Sequence, residues 1–199
     1  MKFIILGAGA IGCYVGGRLA HAGQSVTLVG RPRVLDALAV HGLTVTDLEG
    51  FKGHVAATAL KLAPSMRDAW VGADVEEKSA GDGDKVILLC VKGGGTEAAA
   101  REIAQVCKPG TTVVSLQNGV DNVARIQACA PQMQVLAGMV PYNVVMTAGS
   151  GAFRVHRATT GSLNIERTRD GSSLQIASLL NAAGLHALLS DNMRAVQWG

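Results

Sequence analysis

A chain of 199 residues suits one α/β domain, or one domain with a piece of another. Hydrophobic residues make up 48% of it and charged ones 17%, and the formal charge of +3 comes without a Lys/Arg block, so no electrostatic footprint for nucleic acid is present. No stretch reaches the roughly 18 apolar residues of a membrane span.

In chain order, Lys2 to Leu6 reads as a short apolar strand and Ala10 to Ala22 as a helix packed by small residues. Ser25 to Val29 is a second strand of the same buried kind. Pro32 then suits the first turn of a helix running to about Val40. Leu43 to Asp47 and His54 to Thr58 alternate enough to be strands near an edge. Between Leu60 and Gly83 clean periodicity is lost, and Ser79 to Asp84 reads as a loop. Lys85 to Val91 reads as an inner strand. Thr96 to Cys107 is a helix stopped by Pro109-Gly110, and Thr111 to Leu116 is another buried strand. Asp121 is placed to cap a helix reaching about Cys129. Four strands follow, at Gln134 to Val140, Asn143 to Thr147, Ala152 to His156 and Ser162 to Glu166, the later ones antiparallel. Ser172 to Ala183 is a helix with Gly184 past its end, Leu185 to Leu189 is a short strand, and Asp191 opens a last helix that is cut off at Gly199.

Strands alternating with helices at this spacing predict a doubly wound, mostly parallel sheet with added antiparallel strands. The expected division is a nucleotide-binding domain over residues 1–190, with 191–199 opening a helix towards a missing C-terminal helical domain. Cys13, Cys90, Cys107 and Cys129 form no CxxC pair and have no histidine cluster at ligand spacing, so no metal is expected and a reducing, cytoplasmic setting is. Lys2, the apolar run to Leu6 and Cys13 superficially suggest a lipoprotein leader, but the run breaks at Gly7, far short of a signal core.

Gly7-Ala8-Gly9-Ala10-Ile11-Gly12 is a GxGxxG lying directly after an apolar strand and opening a helix. Alone the pattern is weak in a glycine-rich chain. With strand, turn, helix and second strand inside about thirty residues it marks a Rossmann-type dinucleotide site. Gly7 permits the tight turn, Gly9 lets backbone approach a pyrophosphate, and Gly12 allows close helix–strand packing. The second strand ends in Gly30-Arg31-Pro32-Arg33 where an NAD site usually carries Asp or Glu. A carboxylate would repel a 2′-phosphate and a guanidinium grips it, so NADPH/NADP+ is the expected cofactor, with Arg31 the main contact and Arg33 a second.

Lys92 stands at the carboxyl end of an inner strand, ahead of Gly93-Gly94-Gly95, and Asn118 stands at the equivalent end of the next. Ligands of doubly wound sheets bind beyond that edge. Lysine there can reach cofactor or substrate oxygens, and an amide can donate to a carbonyl or carboxylate. His156 and His186 have no recognisable nucleophile beside them and read as structural.

Together these residues resemble the ketopantoate reductase (2-dehydropantoate 2-reductase) family. The likeness lies in LGAGAIG at Leu6 to Gly12, Arg31, CVKGGGT at Cys90 to Thr96, SLQNGVDN at Ser115 to Asn122, GMVPYNVV from Gly138, His156 to Gly161, and RAVQW at Arg194 to Trp198. The resemblance implies that Gly7 to Gly12 and Arg31 hold NADPH, and that Lys92 and Asn118 line the nicotinamide and substrate pocket. It also places Asn143 at a backbone contact to the cofactor. The implied reaction is reduction of 2-dehydropantoate to pantoate for coenzyme A synthesis. The family's general-acid lysine would fall just past Gly199, so the catalytic residue is left unknown and these residues alone are expected to be inactive or weak. The implied partner is a small 2-keto acid, with no nucleic acid or membrane, and a homodimer is compatible. A reductase of another 2-keto acid and an NADPH-sensing module without catalysis stay open.

Overall fold

The structure, a computed structural model, describes residues 1–75, 85–149 and 151–198. In chain order its elements are β1 (Lys2–Leu6), α1 (Ala10–His21), β2 (Ser25–Val29), α2 (Pro32–His41), β3 (Leu43–Asp47), β4 (Lys52–Val55), β5 (Lys61–Ala63), α3 (Met66–Val75) and β6 (Lys85–Leu89). There follow α4 (Thr96–Val106), β7 (Thr112–Ser115), α5 (Asn122–Cys129), β8 (Gln134–Met139), β9 (Val144–Gly149), β10 (Ala152–Arg157), β11 (Leu163–Glu166), α6 (Ser172–Ala182), β12 (Ala187–Ser190) and α7 (Met193–Trp198).

Eight strands form one sheet in the order β12-β11-β8-β7-β6-β1-β2-β5. Every pairing in it is parallel except β11 against β8. β1 shows why the inner strands read as unbroken apolar runs: Phe3 and Ile5 enter the core on one face, Ile4 and Leu6 the core on the other. Side chains alternate across a strand, so a sheet covered on both faces needs apolar residues at every position. Helices α3, α4 and α5 cover the Ile4 face, while α1, α2 and α6 lie on the Phe3 face.

The other four strands form a separate sheet, β4-β3-β10-β9. Here β3 and β10 run parallel, and the outer pairings are antiparallel. Helix α1 is held between the two sheets by adjacent glycines. A Cβ on Gly16 would come within 2.7 Å of the Leu28 side chain, and one on Gly17 within 2.5 Å of Val45. Core close-packing leaves no room there for a methyl group.

The structure differs from the sequence expectation in five places. Of the later antiparallel strands, β9 and β10 leave the main sheet, and only β11 joins it. The segment His54 to Thr58 ends its strand at Val55 and continues as a 3₁₀ turn over Ala57–Ala59. The stretch without clean periodicity contains edge strand β5 and helix α3, whose Met66, Ala69 and Trp70 are buried. Asp121 occupies the N-cap position of α5, yet its side chain bonds none of the leading N–H groups. Asn192 caps α7 through Ala195 N–H at 3.1 Å, while Asp191 pairs with Arg167 at 2.9 Å. The loop expected over Ser79 to Asp84 lies outside the described residues.

Candidate functional site

The order of the large sheet reverses between β1 and β6, since the chain proceeds from β1 outwards to β2 on one side and returns to β6 on the other. Loops leaving two such strands diverge and open a crevice at their carboxyl ends. Gly7 follows β1 with φ 117°, a conformation that side chains oppose. The N–H groups of Gly7 and Ala8 both donate to the Val29 carbonyl, at 3.0 and 2.8 Å, which ties the turn to the end of β2. A Cβ on Gly7 would lie 2.8 Å from backbone atoms of Cys90 and Val91. A Cβ on Gly12 would lie 2.0 Å from the Gly7 carbonyl oxygen. These two glycines are therefore required by packing of the turn on itself and on the chain leaving β6.

Gly9 is different. Its backbone is extended, and nothing lies within 4 Å of where its Cβ would be. No side chain caps α1, and its first turn holds no acid. The leading N–H groups and the positive end of the helix dipole thus meet open space bounded by Gly9.

Two features flank this turn. On the β2 side, Gly30 makes room for Ala8, with a would-be Cβ 2.6 Å from the Ala8 methyl. Arg31 then supplies the N-cap backbone of α2, and its exposed side chain makes no ion pair with the described residues. On the β6 side a cleft of about 350 Å³ opens, and Ile11, Lys92, Asn118 and Asn143 all line it. Four of the positions singled out from the sequence thus share one cleft, while Arg31 lies outside it. Both Lys92 and Asn118 are exposed, and their side chains bond none of the described residues. Asn143 already uses its backbone: its N–H donates to Thr159 Oγ1 at 2.8 Å, and its carbonyl accepts from Ala158 N at 2.9 Å. Only the second lone pair of that carbonyl is free for a further backbone contact. Neither His156, bonded through Nδ1 to Thr46 Oγ1 at 2.9 Å, nor the exposed His186 lines the cleft.

The cleft lining also includes Tyr142, whose ring stands edge-on to Tyr14 at 5.7 Å and 72°. Its buried hydroxyl has no partner among the described residues, and burial pushes the phenol well above its ordinary value. Cys90, also at the wall, has its thiol pushed up to about 12 by burial.

Sequence reading missed a buried polar group in the lining of this cleft, Gln117. Gln117 Nε2 donates to Val91 O and to Thr96 Oγ1, both at 2.8 Å, while its Oε1 accepts from Ser115 Oγ at 3.1 Å. Thr96 Oγ1 donates to Gly93 O at 3.0 Å, and Asn122 Nδ2 donates to Asn118 O at 2.9 Å. All four side chains are buried. The available signal was a set of polar residues in stretches otherwise bound for the core.

The sequence model for Ketopantoate reductase PanE/ApbA matches residues 3–170. The chain belongs to that family. A 2-dehydropantoate 2-reductase of Pyrococcus horikoshii is 29% identical over 199 residues, and one of Halobacterium salinarum is 28% identical over 203. Each alignment takes in 100% of this ketopantoate reductase-family chain and 59% or 60% of the relative. The crystal structure of a PanE/ApbA family ketopantoate reductase from Ralstonia eutropha JMP134 is similar with a TM-score of 0.78 and 33% identity, over 100% of this chain and 59% of that one. The chain therefore spans about three fifths of the length of these family members. Among the described residues no helix is long and apolar enough to cross a membrane.

Proposed function

We propose that residues 1–190 bind NADPH and supply the cofactor side of an NADPH-dependent reduction of 2-dehydropantoate to pantoate, with residues 191–199 leading towards a substrate domain. The observation that carries this reading is the open, uncapped N-terminus of α1 at Gly9, flanked by Arg31, which has no ion pair among the described residues, on one side and the Lys92–Asn118 cleft on the other.

The residues present fit such a cofactor. A pyrophosphate over Gly9 would take the leading N–H groups of α1. Arg31 would serve as the cation for a 2′-phosphate on the adenosine ribose, and the first turn of α2 behind it holds no acid. The nicotinamide end would then enter the cleft on the β6 side. A nicotinamide held there would supply hydride for a ketone carbon. The chain's own share is orientation and charge: Lys92 and Asn118 present a cation and an amide to carboxylate and carbonyl oxygens, which favours the negative charge that develops on the oxygen as the carbon is reduced. The apolar part of the lining, Ile11 with Leu116, Val140 and Val144, suits an aliphatic substrate.

Titration of the purified chain with NADPH and NADH, alongside Arg31→Ala, tests the reading. NADPH should bind more tightly, and the substitution should cost it roughly 10- to 100-fold in affinity while leaving NADH unchanged. Equal affinities, untouched by the substitution, would remove the 2′-phosphate argument.

A further inference from the structure

We propose that Gln117 is a positioning residue that fixes Lys92 and Asn118 relative to each other by fastening the loop after β6 to the turn after β7. This rests on the reading of the cleft as an NADPH site.

Lys92 sits at the head of three consecutive glycines, and a Cβ on Gly93 or Gly94 would meet nothing within 4 Å. Packing does not hold this segment, and glycine backbone carries the largest conformational entropy of any residue. Left to itself the loop would carry the lysine through many positions. Hydrogen bonds pin it instead, on both sides of Lys92. The Val91 carbonyl accepts from Gln117 Nε2 at 2.8 Å, and the Gly93 carbonyl accepts from Thr96 Oγ1 at 3.0 Å. Thr96 is itself held by the second Nε2 proton of Gln117, at 2.8 Å. The carbonyl of Lys92 accepts from Gly95 N at 2.7 Å and closes the turn. The same amide leads directly into Asn118, whose carbonyl is held by Asn122 at 2.9 Å.

Proton counting leaves both Gln117 donors used. Both amide hydrogens and one oxygen lone pair are engaged, in a residue with 5% exposure. A low-dielectric setting strengthens each bond and penalises any unpaired group, so the network has one satisfied arrangement. Glutamate has the same length but lacks the two donors, and would set a carboxylate against the Val91 carbonyl.

The test uses the 199-residue chain, with NADPH affinity and the fluorescence of bound NADPH as readouts and melting temperature as a check on folding. Gln117→Glu and Thr96→Val should each weaken NADPH binding roughly tenfold, and Thr96→Ser, which keeps the hydroxyl, should restore it. Gln117→Glu combined with Lys92→Ala should cost clearly less than the two single losses added together, the remainder acting through Asn118, whereas combined with Arg31→Ala its cost should simply add. Unchanged affinity, or full additivity with Lys92→Ala, would overturn the proposal. If Gln117→Glu does not fold, the Thr96→Val and Thr96→Ser pair decides by the same criteria. Wild-type chain that ignores NADPH sinks the functional reading instead. Hydrogen exchange over Lys92 to Gly95 then judges the fastening, which stands if Thr96→Val accelerates exchange there and not at Gly7 to Gly12, and falls if exchange is unchanged.

Discussion

The Arg18 guanidinium meets the Asp47 carboxylate at 2.9 Å with both side chains withdrawn from solvent. Arg18 also donates to the carbonyls of Ala183 and Gly184 at 2.9 and 3.0 Å and lies 3.7 Å over the Phe51 ring. Asp47 accepts from the N–H groups of Glu49 and Phe51, both at 2.9 Å, and stands 3.6 Å from buried Arg157. One carboxylate thus answers two guanidinium groups and joins α1, the small sheet and the segment after α6. Removing one partner of such a pair strands the other charge in a low dielectric. Asp47→Ala should lower the free energy of unfolding by about 3–5 kcal/mol in urea denaturation. A loss under about 1 kcal/mol, typical of exposed pairs, would show that the cluster is solvated.

Gly9 and Gly12 lie three residues apart and should respond to alanine in opposite ways. At Gly12 the new methyl would lie 2.0 Å from the Gly7 carbonyl oxygen, so Gly12→Ala should lower the melting temperature and abolish NADPH binding together. At Gly9 nothing is within 4 Å and the backbone is ordinary, so Gly9→Ala should leave stability within about 0.5 kcal/mol of wild type. NADPH affinity should still fall, by roughly tenfold or more, because the methyl would occupy the approach to the α1 N–H groups. Wild-type affinity in Gly9→Ala would place the pyrophosphate elsewhere.

This contrast also shows how far the sequence could be read. The glycine turn, the inner strands and the helices after them were legible because a buried parallel sheet imposes unbroken apolar runs, as in Lys85–Leu89, and because turn glycines have few substitutes. Lys92 and Asn118 were legible as strand-end positions. Helix α3 was not, because its buried Met66, Ala69 and Trp70 are interspersed with Arg67 and Asp68 in a stretch without clear punctuation. Partner choice was equally hidden. No local signal says that Arg18 reaches Asp47 and Ala183, nor that Gln117 turns inwards to Val91 while Asn118 beside it turns out. The division of strands between two sheets depends on such long-range contacts.

Burial raises the thiols of Cys13, Cys90 and Cys107 each to about 12. The thiolate is the reacting form, and at pH 8 it would make up about one part in ten thousand of each. Ellman's reagent at pH 8 should therefore label these three only slowly in folded protein and fully in guanidinium. Fast labelling of Cys90 would mean that the cleft wall is open to solvent at that position.

Asp170 has its carboxyl held well below the ordinary range, chiefly by the Ser172 N–H, then by the Thr168, Ser172 and Gln134 side chains. A depressed folded-state value favours folding above the unfolded carboxyl value, near ~3.9, and that contribution fades as pH falls through the folded value. Asp170→Asn should thus melt below wild type at pH 7, with the difference shrinking at pH values under about 4. A gap that does not change with pH would assign the effect to shape and not to charge.

The cleft takes its lining from four stretches of chain around Ile11, Lys92, Asn118 and Asn143, each rooted in a different strand or helix. A molecule seated there acts as a rivet through separate layers of the protein, not as a latch on one loop. Its grip should accordingly be felt as resistance to heat and to proteases across the whole sheet, rising with the logarithm of its concentration once the site is saturated.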